Sequence, residues 1–224
     1  MYLSPQTFEF QLATHEGRPI IVKREATSEP DKPRRLNSFD TSRLPSFHPS
    51  DVEVLGELKG NRILKVFVNG CLSCCKVVDR YTEKSVSREL ALLQSLSASL
   101  PSIRVPKLVG IVTSDDEDLI AILLEYIQAD RNTPTLNLVS VDSIERSRRQ
   151  EWASQIRQTL NQLHELGIIW GDGKADNILI DEDDNAWIID FGGSWTEGWV
   201  TPDLAGTLDG DLEALRKIVE FLKV

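Results

Sequence analysis

Residues 170–193 read WGDGKADNILIDEDDNAWIIDFGG, and the fold can be read outward from them. Ile178-Leu179-Ile180 and Trp187-Ile188-Ile189 are short apolar runs that predict two strands, and Asp181 to Asn185 is the polar turn between them. A hairpin puts Asn177 at the entry of the first strand and Asp190 at the exit of the second, so both side chains come to the same end. Asp172 lies on the loop just before it. An amide oxygen and two carboxylates converging on one spot form a hard oxygen site, suited to magnesium and a phosphate chain.

Composition bounds the setting. A chain of 224 residues can bury a sizeable core, as one domain or two small lobes. Hydrophobic content of 41% and charged content of 27% are those of an ordinary globular protein. The longest apolar run, Leu119 to Ile127, already contains Glu125, so no membrane span is expected. No basic region followed by an apolar core opens the chain, which argues for a cytoplasmic location. Cys71, Cys74 and Cys75 form CxxCC, half a zinc knuckle without a second pair; they are expected as reduced, structural thiols in a strand. The net charge of −10 is uneven: residues 151–224 hold 5 basic and 15 acidic side chains, a poor general surface for nucleic acid. Acids around the central hairpin either hold cations or receive a cationic substrate.

In chain order, residues 1–24 predict a hairpin, with strands at Thr7–Ala13 and Pro19–Lys23. Residues 25–50 are rich in Pro, Ser, Arg and Asp and read as a linker, with a basic cluster at Lys32, Arg34 and Arg35. Val52–Leu58, Ile63–Val68 and Leu72–Val78 read as strands, with turn signals at Gly60-Asn61 and Asn69-Gly70. Ser85 to Leu96 has helical apolar spacing, and Lys107–Thr113 and Leu119–Ile127 read as two more strands. Asp142 or Ser143 is expected to cap a long helix running to about Gly167. Near its start Arg146, Arg148 and Arg149 oppose the helix dipole, which hints at an anion partner or a solvated face. Asp211 is expected to open a last helix, Leu212 to Leu222.

Trp170-Gly171-Asp172-Gly173-Lys174-Ala175-Asp176-Asn177 and Asp190-Phe191-Gly192 resemble the catalytic loop H-R-D-x-K-x-x-N and the D-F-G of the protein-kinase-like fold family. The resemblance covers roughly residues 52–222. It implies an α+β, two-lobe fold: a β-rich N-lobe over residues 51–127 and an abbreviated, mainly helical C-lobe over residues 128–224. It further implies Asp172 and Lys174 as catalytic, Asn177 and Asp190 as magnesium ligands, and Lys76 and Glu89 as the pair that orients ATP phosphates. The backbone of Glu125 and Ile127 would serve as the hinge for a purine edge. Asp211 is implied as a structural brace of the catalytic loop. Asp203 falls near the family's A-P-E position, and with Trp195 and Trp199 it is a candidate for substrate contact.

The sequence also departs from the family. The first turn, Gly56-Glu57-Leu58-Lys59-Gly60, has fewer glycines than G-x-G-x-x-G, and Gly171 stands where the catalytic-loop arginine belongs. Three readings follow. One is a phosphotransferase moving a phosphoryl group from magnesium–ATP to a small acceptor. A second is a non-catalytic, pseudokinase-type binding module. The third rests on similarity in size and acidity to fungal arginine-containing cyclodipeptide synthases, which draw on aminoacyl-tRNA. There an acidic pocket of Asp172, Asp176, Asp190, Asp203 and Glu197 would seat a guanidinium group. The arginines at 146, 148 and 149, with Lys32, Arg34 and Arg35, would meet RNA phosphates.

Overall fold

The turn chemistry at Asp181 shows how the sequence builds its central hairpin. Asp181 Oδ1 accepts from the backbone N–H of Asp183 and of Asn185, at 3.0 and 2.8 Å, which closes the loop. Strands β9 (Ile178–Ile180) and β10 (Ala186–Ile188) pair antiparallel on either side. The second strand begins one residue earlier than expected. This is a computed structural model, and it describes residues 9–15, 18–24, 44–79, 81–96, 103–129, 134–193 and 195–224.

The chain divides into two units, residues 1–32 and 33–224. In the first, β1 (Glu9–His15) and β2 (Arg18–Arg24) pair antiparallel as a two-stranded hairpin. Lys32, Arg34 and Arg35 lie outside the described residues.

In the second unit a six-stranded sheet has the order β3-β7-β8-β6-β5-β4. Its strands are β3 (Ser46–Phe47), β4 (Val52–Lys59), β5 (Ile63–Val68), β6 (Cys71–Val77), β7 (Leu108–Thr113) and β8 (Leu119–Glu125). All neighbours are antiparallel except β3, which runs parallel to β7. Strand β3 comes from the stretch expected as linker. It docks because β7 offers Gly110: a Cβ there would sit 2.6 Å from the Pro45 carbonyl and 2.9 Å from the Phe47 ring. That space lets Ile111 N–H donate to Pro45 O at 2.9 Å. A two-residue strand carries too little periodicity to announce itself.

Helix α1 (Glu83–Leu96) buries Val86, Leu90, Leu93 and Leu96 against the sheet. Helix α2 (Arg146–Glu165) starts at a Glu145 N-cap with no side-chain cap, later than expected. Val141–Ser143 forms a separate short turn, in which the Ser143 hydroxyl donates to Ser140 O at 2.7 Å and is unavailable as a cap. Helix α3 (Leu208–Phe221) starts a turn earlier than expected, capped by Thr207, whose hydroxyl accepts from Gly210 N–H at 3.1 Å. Asp211 therefore lies inside the helix. One apolar cluster joins α1, β7 and β8 to Trp152, Ile156, Leu160 and Leu163 of α2, to the β9–β10 hairpin and to α3. A second, of Val66, Val68, Cys75, Val112, Ala121 and Leu123, lies within the sheet strands. Among the described residues no helix is long and apolar enough to cross a membrane.

The cysteines are unpaired thiols on β6, and burial pushes Cys74 and Cys75 up to about 11. Among the described residues no group of three His, Cys, Asp or Glu side chains is placed to hold a metal.

Candidate active site

Two polar clusters form where the sheet meets the helical lobe. The first is centred on Lys76. It lies near the end of β6, whose pairing with β8 holds its backbone opposite Ile122. Its ammonium donates to Glu89 Oε1 and Oε2 at 2.8 and 2.6 Å, and to Asp190 Oδ1 at 3.2 Å. The Lys76 side chain is 13% exposed and that of Glu89 3%, so screening by water is weak. Burial alone would depress the Lys76 ammonium, but the Glu89 and Asp190 carboxylates outweigh it and hold it above the ordinary lysine range. Two carboxylates flank one ammonium, so the charged lysine is the stable form. Burial pushes the Glu89 carboxyl up, against the pull of Lys76. Burial would also raise Asp190, but Lys76 overrides it and keeps that carboxyl below its usual range.

Asp190 has φ +64, in the left-handed region that a non-glycine residue adopts at some energetic expense. The strained backbone turns the carboxylate toward Lys76 and brings Phe191 N–H to 3.4 Å from Glu89 Oε1. Phe191 itself is fully buried in the shared core.

The second cluster is centred on Asp172, which is buried. Its Oδ2 accepts from Lys174 Nζ at 2.6 Å and from Asn177 Nδ2 at 3.1 Å, and its Oδ1 accepts from the Thr196 hydroxyl at 3.0 Å. Lys174 also donates to Thr196 Oγ1 at 2.9 Å. Asn177 O accepts from Ile189 N–H at 3.0 Å, which sets Asn177 beside the strand exit, one residue from Asp190. With its amide nitrogen directed at Asp172, Asn177 keeps its amide oxygen for another partner.

The loop carrying Asp172 is braced from α3. Asp211, 1% exposed, accepts from Trp170 N–H and Gly171 N–H, each at 2.8 Å, and lies 3.0 Å from His164 Nε2. The buried Trp170 indole donates to Ile189 O at 3.0 Å, tying the loop to the residue just after the second hairpin strand.

At the hinge, Glu125 N–H donates to Lys107 O at 2.8 Å, and the half-buried chain continues through Ile127. At the first turn, a Cβ on Gly56 or Gly60 would meet no atom within 4 Å, so that loop is open.

Other candidates are not gathered here. Trp199 packs against Phe221 of α3, with ring centroids 6.3 Å apart, and serves the core. Trp195 is exposed, with its indole N–H donating to Val200 O at 2.7 Å. Asp203 and Glu197 are exposed. Asp176 accepts from Asn137 Nδ2 at 3.1 Å. Of the five acids of that pocket, Asp172 and Asp190 are already paired with Lys174 and Lys76. Arg148 grips Asp184 through two bonds of 2.8 and 2.7 Å, and Arg149 donates to the carbonyls of Ile144, Leu222 and Lys223. Both guanidinium groups are thus engaged within the chain. Sequence reading missed Thr196 and His164, which touch Asp172 and Asp211 from distant segments with no spacing signal.

The donor set fits a magnesium–nucleotide. Asp190 and the Asn177 amide would supply hard oxygens, with the Asp172 carboxylate adjoining Asn177; magnesium keeps waters and phosphate oxygens as its remaining ligands. Lys76 is a fixed cation next to that pair.

Comparison with known proteins agrees with this geometry. The protein kinase domain family matches residues 51–198, a stretch containing Lys76, Glu89, Asp172, Asn177 and Asp190. The chain is 25% identical over 193 residues to the serine/threonine-protein kinase Sgk2 of Homo sapiens, covering 82% of this chain and 52% of that one. It is 23% identical over 185 residues to Sgk1 of Mus musculus, covering 80% and 42%. It is 29% identical over 107 residues to the serine/threonine-protein kinase ppk34 of Schizosaccharomyces pombe, covering 48% and 29%. The chain thus spans about half or less of the length of these relatives. The comparisons lend the cyclodipeptide-synthase resemblance no support. A two-lobed α+β fold, a Lys–Glu–Asp ion cluster and a matched stretch covering most of the chain lead to one conclusion: the chain belongs to the protein kinase domain family.

Proposed function

We propose that the protein is a phosphotransferase that moves the terminal phosphoryl group of magnesium–ATP to the hydroxyl of a small acceptor. The observation that carries this reading is the Lys76 ammonium held between Glu89 and Asp190. Lys76 would hold the nucleotide phosphates, and Glu89 fixes its direction. Asp190 and the Asn177 amide oxygen would hold magnesium, which neutralises charge on the phosphates. The hinge backbone at Glu125–Ile127 would take the purine edge. Asp172 orients the acceptor hydroxyl and receives its proton as the new O–P bond forms and the bond from the γ-phosphorus to the ADP oxygen breaks, with ADP as leaving group. Lys174, shared between Asp172 and Thr196, steadies that carboxylate and would offset charge on the transferring group. The open, glycine-poor first turn favours a second reading, a module that binds nucleotide without turnover.

Thermal shift with and without magnesium–ATP, paired with ATP consumption over a panel of small hydroxylated acceptors, tests both. Binding and consumption, with binding lost in Asp190→Ala and kept in Asp176→Ala, is the expected result. Binding without consumption selects the module. No binding removes both.

A further inference from the structure

Helix α1 carries two consecutive charged residues that serve different halves of the site. Glu89 takes Lys76. Arg88 sends its guanidinium to three main-chain carbonyls: Nη2 donates to Ile169 O at 3.0 Å, and Nη1 to Trp170 O at 3.2 Å and Phe191 O at 2.7 Å. Ile169 and Trp170 lead into the loop that carries Asp172, and Phe191 follows Asp190. One planar cation therefore ties both loops to one helix. Two glycines shape the slot that receives it. A Cβ on Gly171 would lie 2.8 Å from Arg88 Nη2, and one on Gly193 would lie 2.5 Å from Nη1. Both glycines also have positive φ, +85 and +66, which other residues adopt only with strain. Gly171 is the position where the motif H-R-D has arginine.

We infer that Arg88 is a positioning residue that replaces the missing loop arginine from the helix side. The guanidinium fork is rigid and has several donors, so it can span carbonyls from two segments at once. A lysine, with one compact ammonium, cannot reach both sets equally. Docking of α1 then sets the Lys76–Glu89 pair and the Asp172 loop in register together. The effect on rate rests on the phosphotransfer reading; the effect on loop order does not.

The test compares the full-length chain with Arg88→Met and Arg88→Lys. In native-state hydrogen exchange, Arg88→Met is expected to speed exchange at residues 169–173 and 190–193 by about tenfold or more, with Val52–Val77 unchanged and Arg88→Lys intermediate. In steady-state kinetics, Arg88→Met is expected to lower kcat by roughly 10–100-fold with KM for magnesium–ATP within about threefold. Unchanged exchange in both loops overturns the inference. So does exchange that quickens equally throughout the chain, and so does turnover equal to that of the unsubstituted protein. If the unsubstituted protein shows no turnover, the phosphotransfer reading fails and exchange alone decides. If Arg88→Met does not fold, Arg88→Lys carries the same comparisons.

Discussion

Both carboxylate oxygens of Asp172 are engaged, by Lys174 and Asn177 on one side and Thr196 on the other. The side chain is thereby held in one orientation, as a group that must meet an acceptor hydroxyl requires. Asp172→Asn keeps the shape and removes the charge. Turnover is expected to fall by about 10²–10⁴-fold, roughly 3–5 kcal/mol of barrier, with magnesium–ATP affinity retained. Initial-rate and binding measurements on the same variant check it; full turnover would remove Asp172 from the proton transfer. Lys76 has a different signature. Lys76→Met strands Glu89, a carboxyl whose folded-state position burial already raises. A raised acid contributes stability that is fully present below its unfolded pKa and is lost as pH rises through the folded value. The variant is therefore expected to lose thermal stability, relative to the unsubstituted protein, as pH rises from the ordinary carboxylate range toward neutrality. Melting curves at a series of pH values check this; a difference independent of pH contradicts it.

Helix α3 shows how an element serves the site without touching it. Its Thr207 cap and buried Ala214, Leu215 and Ile218 fix its axis, and Asp211 then points at the amides of the catalytic loop. Asp211→Ala leaves two buried N–H groups without their acceptor. At about 1–3 kcal/mol for each buried donor left unmade, the variant is expected to lose roughly 2–5 kcal/mol, read from urea denaturation. A loss under about 1 kcal/mol would show that water or another side chain replaces the brace. The sequence put Asp211 at the helix start, since an aspartate before an apolar run is a good cap. Thr207 won because its hydroxyl reaches Gly210 N–H one turn earlier. Likewise α2 begins after Ser143, whose hydroxyl is turned back to Ser140. Caps are decided by which side chain reaches the free amides, and residue type alone cannot rank neighbouring candidates.

For residues 33–224, one apolar cluster runs from the sheet through α1 and α2 to the hairpin and α3. Leu160, fully buried at its centre, is the position where this can be measured. Leu160→Ala is expected to lower stability by about 2–5 kcal/mol. Unfolding is expected to remain one transition, whether followed by tryptophan fluorescence or by hydrogen exchange in both lobes. Two separated transitions would show that the lobes have independent cores.

The sequence by itself determined the central hairpin and the residues that meet on it. Asp172, Lys174, Asn177 and Asp190 fall within nineteen consecutive residues, so local strand and turn geometry brings them together and spacing reveals them. The pairing of Lys76 with Glu89 was implied by the family resemblance, with both residues on elements in the expected order. What only the tertiary structure decided are the contacts that span long stretches of chain. Arg88 reaches carbonyls 81, 82 and 103 residues away, Asp211 reaches amides 40 and 41 residues away, and Thr196 closes on Asp172 across 24. Asp211 was implied as a brace only through the family resemblance, and nothing in the local pattern marks Arg88 or Thr196, because each contact depends on how distant segments pack. Trp199 shows the same limit in reverse. A tryptophan on a loop suits either a ligand or a core, and the choice fell to the core because Phe221 of α3 lies beneath it. Side-chain chemistry is local and legible; the direction in which packing aims it is a property of the assembled fold.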